Sequence, residues 1–246
     1  MNSLLEAIRF LTITPIKTGH DDRYMPSSVS YFPVAGLLLG LLLAGLNQAL
    51  GYLDLNELTI SVSLVAALAV MTGGLHLDGL ADTFDALMSG KPREEMLRIM
   101  RDPHIGTMGV LSLVIVLLLK TALIYSIAAS VKVPAIILMC VLGRWAMSLS
   151  IFLFPYARQE GKASIFIDGK RSLYIVISTV FALAITIIAI GINGLTLFAA
   201  IALAAYVIGR AVTLRLGGIT GDVLGATNEL IEVAVLFGIC ILKGAH

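Results

Sequence analysis

Seven stretches of this chain are each long and apolar enough to cross a lipid bilayer: Phe32 to Tyr52, Leu58 to Leu75, Gly106 to Ala129, Val133 to Phe154, Leu173 to Ile190, Gly194 to Leu214 and Val223 to Leu242. A hydrocarbon core of about 30 Å takes about 20 helical residues, and only a helix satisfies its own backbone groups segment by segment in lipid. The chain is therefore expected to be all-α: a polytopic transmembrane helical bundle of about seven spans, forming a single integral membrane domain over residues 1–246. Composition agrees, since charged residues are 13% of the chain against about 25% in a soluble domain. Ahead of the first span, Ser3 to Leu11 is predicted to be a short amphipathic helix in the interface, with Leu4, Ile8 and Leu11 on one face and Glu6 and Arg9 elsewhere. Both cysteines, Cys140 and Cys240, lie inside apolar runs, which excludes a disulfide-built fold. A net charge of +1 without a basic stripe argues against a nucleic-acid partner.

The basic residues orient the spans. Of the 17 lysines and arginines, twelve fall in the N-terminal segment (Arg9, Lys17, Arg23), after span two (Lys91, Arg93, Arg98, Arg101), after span four (Arg158, Lys162, Lys170, Arg171) and after span six (Arg215). Lys132 and Lys243 fall on the opposite side, and Lys120, Arg144 and Arg210 lie within spans. Positive charge accumulates in cytoplasmic loops, so a cytoplasmic N-terminus is expected, with the C-terminus outside.

The segment between spans two and three, residues 76–105, is longer than an ordinary connection and is expected to be a cytoplasmic acidic loop. It places Asp78, Asp82 and Asp85 at i, i+4 and i+7, within an arc of about 60° on a helix. Leu77, Leu80, Phe84 and Leu87 fill the other side. Like charges at this spacing repel, and a divalent cation would offset the repulsion. Mg²⁺ suits such a site, because it takes one or two carboxylates and completes its octahedron with water and phosphate. A solvated acidic face is the alternative.

A second acidic set follows a glycine-rich turn: Asp222, Glu229 and Glu232 lie within about 80° on the last helix, where Thr220 or Asp222 can cap the first turn. Glu229 and Glu232 sit two to three turns into an apolar span, where a carboxylate costs a few kcal/mol and usually faces a bundle interior or a polar cavity. Ion pairing with Arg144 or Arg210 is the plainer reading. Both acidic sets fall on the expected cytoplasmic side, so with Arg101, Arg144 and Arg210 they can form a site for a Mg²⁺-bridged pyrophosphate, suited to phosphoryl transfer. His76 and Asp102 are further candidates to bind substrate. In Arg101-Asp102-Pro103-His104-Ile105-Gly106-Thr107-Met108-Gly109, Pro103 ends a helix and the glycines permit close approach of a ligand or another element.

Four stretches, Tyr31 to Gly40, Thr72 to Thr83 (TGGLHLDGLADT), Met100 to Gly109 and Gly218 to Glu232, together with Tyr156 to Gly161, resemble the cobalamin synthase family, the adenosylcobinamide-GDP ribazoletransferases. The resemblance runs over nearly the whole chain. It implies an enzyme of the bacterial inner membrane, with its active site cytoplasmic, that joins adenosylcobinamide-GDP to α-ribazole or its 5′-phosphate with Mg²⁺ and releases GMP. It also implies Asp78, Asp82, Asp85, Asp222, Glu229 and Glu232 as the metal-binding acids; on the chemistry of the residues themselves, Asp82, Asp85 or Glu229 would take the hydroxyl proton. The partners it implies are the two substrates and the lipid bilayer, with a second copy of the chain or other corrinoid-pathway enzymes as further candidates. The chain departs from the family pattern at Ala86, Pro103 and His104, and no departure removes an acid.

Three rivals fit the same physics. A CDP-alcohol phosphotransferase and a membrane prenyltransferase also hold Mg²⁺ and a diphosphate between two acidic motifs, although the first has a longer motif and the second a further aspartate ladder where this chain has Asp222, Glu229 and Glu232 after a glycine turn. A cation-coupled transporter would also place carboxylates within spans, and would move substrate without converting it.

Overall fold

A computed structural model describes residues 2–15, 22–158, 164–169 and 171–243. Its regular elements are helices: α1 (Asn2–Leu11), α2 (Met25–Ser28), α3 (Phe32–Tyr52), α4 (Glu57–Met71), α5 (Leu75–Met88), α6 (Arg93–Ile99), α7 (Thr107–Ser126), α8 (Ala129–Leu153), α9 (Ser164–Asp168), α10 (Ser172–Ile190), α11 (Asn193–Leu216) and α12 (Gly221–Lys243). Among the described residues, six helical stretches are long and apolar enough to span a bilayer by themselves, and the α4–α5 pair makes a seventh if its 89° bend is counted within one span. The first begins earlier than the hydropathy pattern indicated: α2, a 3₁₀ turn and α3 run on as Met25–Tyr52.

The second span differs more. It was expected to reach Leu75, but α4 stops at Met71, giving about 22 Å of helix, short of a hydrocarbon core. Gly73 and Gly74 both adopt positive φ, a conformation that costs glycine little and ends the helix. The other end of α4 is capped by Asn56, whose side chain accepts the Thr59 N–H at 2.8 Å.

Two ends of the bundle can be told apart. At one, Glu57 at the start of α4 pairs with Lys132 at the start of α8. At the other, the C-termini of α4, α8 and α11 meet the N-termini of α7 and α12. There Arg93 donates to the carbonyls of Leu216 and Ala157, each at 2.7 Å, and Tyr156 bridges to Ile219. Between the ends α8 forms the central post, buried from Ala135 through Ser148 apart from Ile137. Gly40 of α3 lies on the Ile137 backbone of α8, the small-residue contact by which helices approach closely in lipid. The amphipathic α1 packs on this bundle through Ala7 and Leu11. Contrary to the expected polar placement, Glu6 is buried with them, 3.8 Å from Arg9.

Candidate active site

The bend after α4 directs α5 across the N-terminal turn of α12. The two helices touch backbone to backbone: a Cβ on Gly79 would lie 2.6 Å from the Asp222 carbonyl oxygen, and one on Gly225 would lie 3.1 Å from the Cα of His76. This contact brings Asp78 and Asp82 beside Asp222. Thr220 supplies the α12 cap, its hydroxyl accepting the Val223 N–H at 3.2 Å, while Asp222 instead accepts Arg158 Nη2 at 2.8 Å.

Asp78 and Asp82 form one wall of a cleft of about 250 Å³, faced by Arg101, Asp102 and Pro103. A second cleft of about 620 Å³ is lined by Arg93, Arg98, Arg101 and Arg158, with Glu94. Arg101 belongs to both. Asp102 is held below the ordinary carboxylate range, first by the His104 backbone N–H at 2.9 Å and then by its ring nitrogen at 2.6 Å. A third concavity, about 450 Å³ beside α1 and α3, is lined by residues such as Leu38, Leu42 and Met71 and contains no titratable group.

The remaining predicted residues are used otherwise. Asp85 lies on the same face as Asp78 and Asp82, yet its two oxygens accept the N–H groups of Gly106 and Gly109, each at 2.7 Å. The glycines of the GTMG run exist for this approach, because a side chain at either would collide with the carboxylate. Asp85 thus ties α5 to the unsatisfied N-terminus of α7. Asp85→Ala leaves two partly buried donors without partners and is expected to cost about 2 kcal/mol, read as a lowered melting temperature of the purified protein in detergent; unchanged stability would remove this role.

Glu229 and Glu232 do not open on the cleft. Both are buried, and Lys120 donates to both, to Glu229 at 2.6 Å, while Arg144 pairs with Glu232. Asn228 Nδ2 donates to Glu232 at 2.9 Å. Two cations and two anions balance inside the bundle, so the ion-pairing alternative describes this geometry. The reason is depth: on one helical face, Glu232 is about 15 Å along the axis from Asp222, too far to share one diphosphate. His76 is buried against this group, its Nδ1 3.5 Å from Arg144. Arg210 is exposed on α11 and lines neither cleft. Among the described residues no three His, Cys, Asp or Glu groups are disposed to hold a metal ion together. Nothing in the sequence indicated that Arg93 and Arg158 line the larger cleft, although Arg158 lies inside the Tyr156 to Gly161 stretch, or that Lys120 is the partner of the two buried glutamates.

The family described as cobalamin-5-phosphate synthase matches residues 3–240. The chain belongs to the cobalamin-5-phosphate synthase family. An adenosylcobinamide-GDP ribazoletransferase of Roseiflexus sp. (strain RS-1) is 42% identical over 94% of this chain and 86% of its own length. One of Desulforamulus reducens is 38% identical over 96% and 95%, and one of Chlorobium phaeobacteroides 35% identical over 96% of each. No solved structure matches. Of the stretches in which the sequence resembles cobalamin-5-phosphate synthases, Thr72 to Thr83 forms the α4–α5 bend, Met100 to Gly109 runs into α7, and Gly218 to Glu232 turns into α12.

Proposed function

We propose that this chain is an adenosylcobinamide-GDP ribazoletransferase, catalysing the final assembly of cobalamin from adenosylcobinamide-GDP and α-ribazole or its 5′-phosphate. The observation that carries the reading is the acidic cleft, where two adjacent carboxylates on α5 face Arg101 across a space of about 250 Å³, within a chain related over its full length to enzymes of that name. We further propose that this end of the bundle faces the cytoplasm of a bacterial inner membrane, since the basic residues concentrate in the segments that the sequence assigns to this side, nine of them among the described residues.

Mg²⁺ fits the donor set. It requires one or two protein carboxylates with water and phosphate oxygens, and Asp78 and Asp82 have no hydrogen-bond donor or ion-pair partner among the described residues. Bound there, it would supply neutralisation of the diphosphate charge. Arg101 binds and orients the diphosphate from the opposite wall. The ribose hydroxyl oxygen of the acceptor forms a bond to the cobinamide-side phosphorus, the bond from that phosphorus to the bridging oxygen breaks, and the electron pair leaves with GMP. Asp82 accepts the hydroxyl proton.

The test is reconstitution. Purified protein in lipid with Mg²⁺, adenosylcobinamide-GDP and α-ribazole is expected to yield GMP and adenosylcobalamin in equal amounts. No GMP, or release of GMP without a cobalamin, would refute the transferase; movement of substrate across vesicles without conversion would favour a transporter.

A further inference from the structure

The transfer just described uses the smaller cleft, yet the larger one beside it is the more strongly charged. Four arginines against Glu94 line about 620 Å³, with Leu97 and Ala157 as an apolar floor. They are not equally available. Arg93 is committed to the Leu216 and Ala157 carbonyls, and Arg158 to Asp222. Arg98 is paired only with Glu95 on the surface, its own side chain 78% exposed, a pair that contributes little in water. The Arg101 side chain has no hydrogen bond or ion pair among the described residues. Two guanidinium groups with spare donors therefore face one space, and Arg158 Nε, nearly buried, also has no partner among the described residues.

Guanidinium groups bind phosphate oxygens in a planar two-point geometry and need no metal. The two clefts thus suit different phosphate groups: the carboxylate wall a metal-bound diphosphate, the arginine wall a bare phosphomonoester dianion. Arg101 lines both, so the two groups would sit side by side, as two substrates of one transfer must. The matched family is described by a product that carries a 5-phosphate, and a phosphate on that product that is not part of the new diester must enter with the acceptor. We infer that Arg98 and Arg101, backed by Arg158, form a subsite for the phosphomonoester of the acceptor, and that Arg98 is the residue that distinguishes the phosphorylated acceptor from the bare nucleoside. This inference rests on the transferase reading.

The experiment compares kcat/KM for α-ribazole 5′-phosphate with that for α-ribazole, in lipid-reconstituted wild type, Arg98→Gln and Arg98→Lys. Losing a charge-assisted contact is expected to lower the phosphorylated-to-bare ratio about tenfold in Arg98→Gln, with most of the preference restored in Arg98→Lys. A ratio that stays at the wild-type value, or two acceptors that lose rate in equal proportion, overturns the subsite. The released GMP is also a phosphomonoester: weakened inhibition by GMP in Arg98→Gln at an unchanged acceptor ratio would assign the cleft to the leaving nucleotide instead and overturn the inference. Wild type that converts neither acceptor fails the transferase reading itself, whereas wild type that converts both with no effect of Arg98 fails only the subsite.

Discussion

Asp82→Asn is expected to lower turnover by about two to four orders of magnitude while the protein stays folded and inserted, with a melting temperature in metal-free detergent at or above that of wild type. The two halves of this result have one cause. Asp82 is half-buried on α5 between Asp78 and Asp85 and close to Asp222. Among the described residues it has no donor that would be lost with its charge. Asparagine has the same shape, so packing is kept, and the repulsion between neighbouring carboxylates is relieved. A residue held for stability would show the reverse, a lower melting temperature with activity falling only as the folded fraction falls. Activity close to wild type in Asp82→Asn would remove the residue from the chemistry, and with it the acidic cleft as the reaction site.

Spans were legible in the sequence because hydrocarbon imposes a length on each helix independently of its neighbours, and the acidic wall was legible because Asp78 and Asp82 belong to one helix with a fixed turn. Arg101 and Asp102 lie outside that helix, on the segment before α7, and line the same cleft. What failed was anything that depended on distance between helices or along an axis. A helical wheel gives Asp222 and Glu232 similar directions and omits the rise that separates them. It also gives Asp85 the direction of Asp82, with no sign that its partners are the backbone N–H groups of Gly106 and Gly109. The glycine pair was the available signal there. The α4–α5 bend was written plainly in Gly73-Gly74, but hydropathy over a window averages across it.

Lys120 carries the second large effect. It lies two-thirds of the way along α7, is 2% exposed, and is the partner of both Glu229 and Glu232, with Arg144 as the second cation of the group. Nothing in the sequence relates a lone lysine in an apolar run to two glutamates over a hundred residues later, since their common depth is set by how α7 and α12 pack. Lys120→Met keeps the length of the side chain and removes the charge, leaving two buried carboxylates with one cation between them. Breaking a buried pair in this way is expected to cost about 3–5 kcal/mol, seen as a large drop in melting temperature and in the yield of monodisperse protein from membranes. Adding Glu229→Gln restores charge balance around Arg144 and Glu232, so Lys120→Met with Glu229→Gln should be more stable than Lys120→Met alone, with a favourable coupling in the double-mutant cycle. If Lys120→Met melts with wild type, the four side chains are not a mutually neutralising group, and the two glutamates become available again as ligands for a cation.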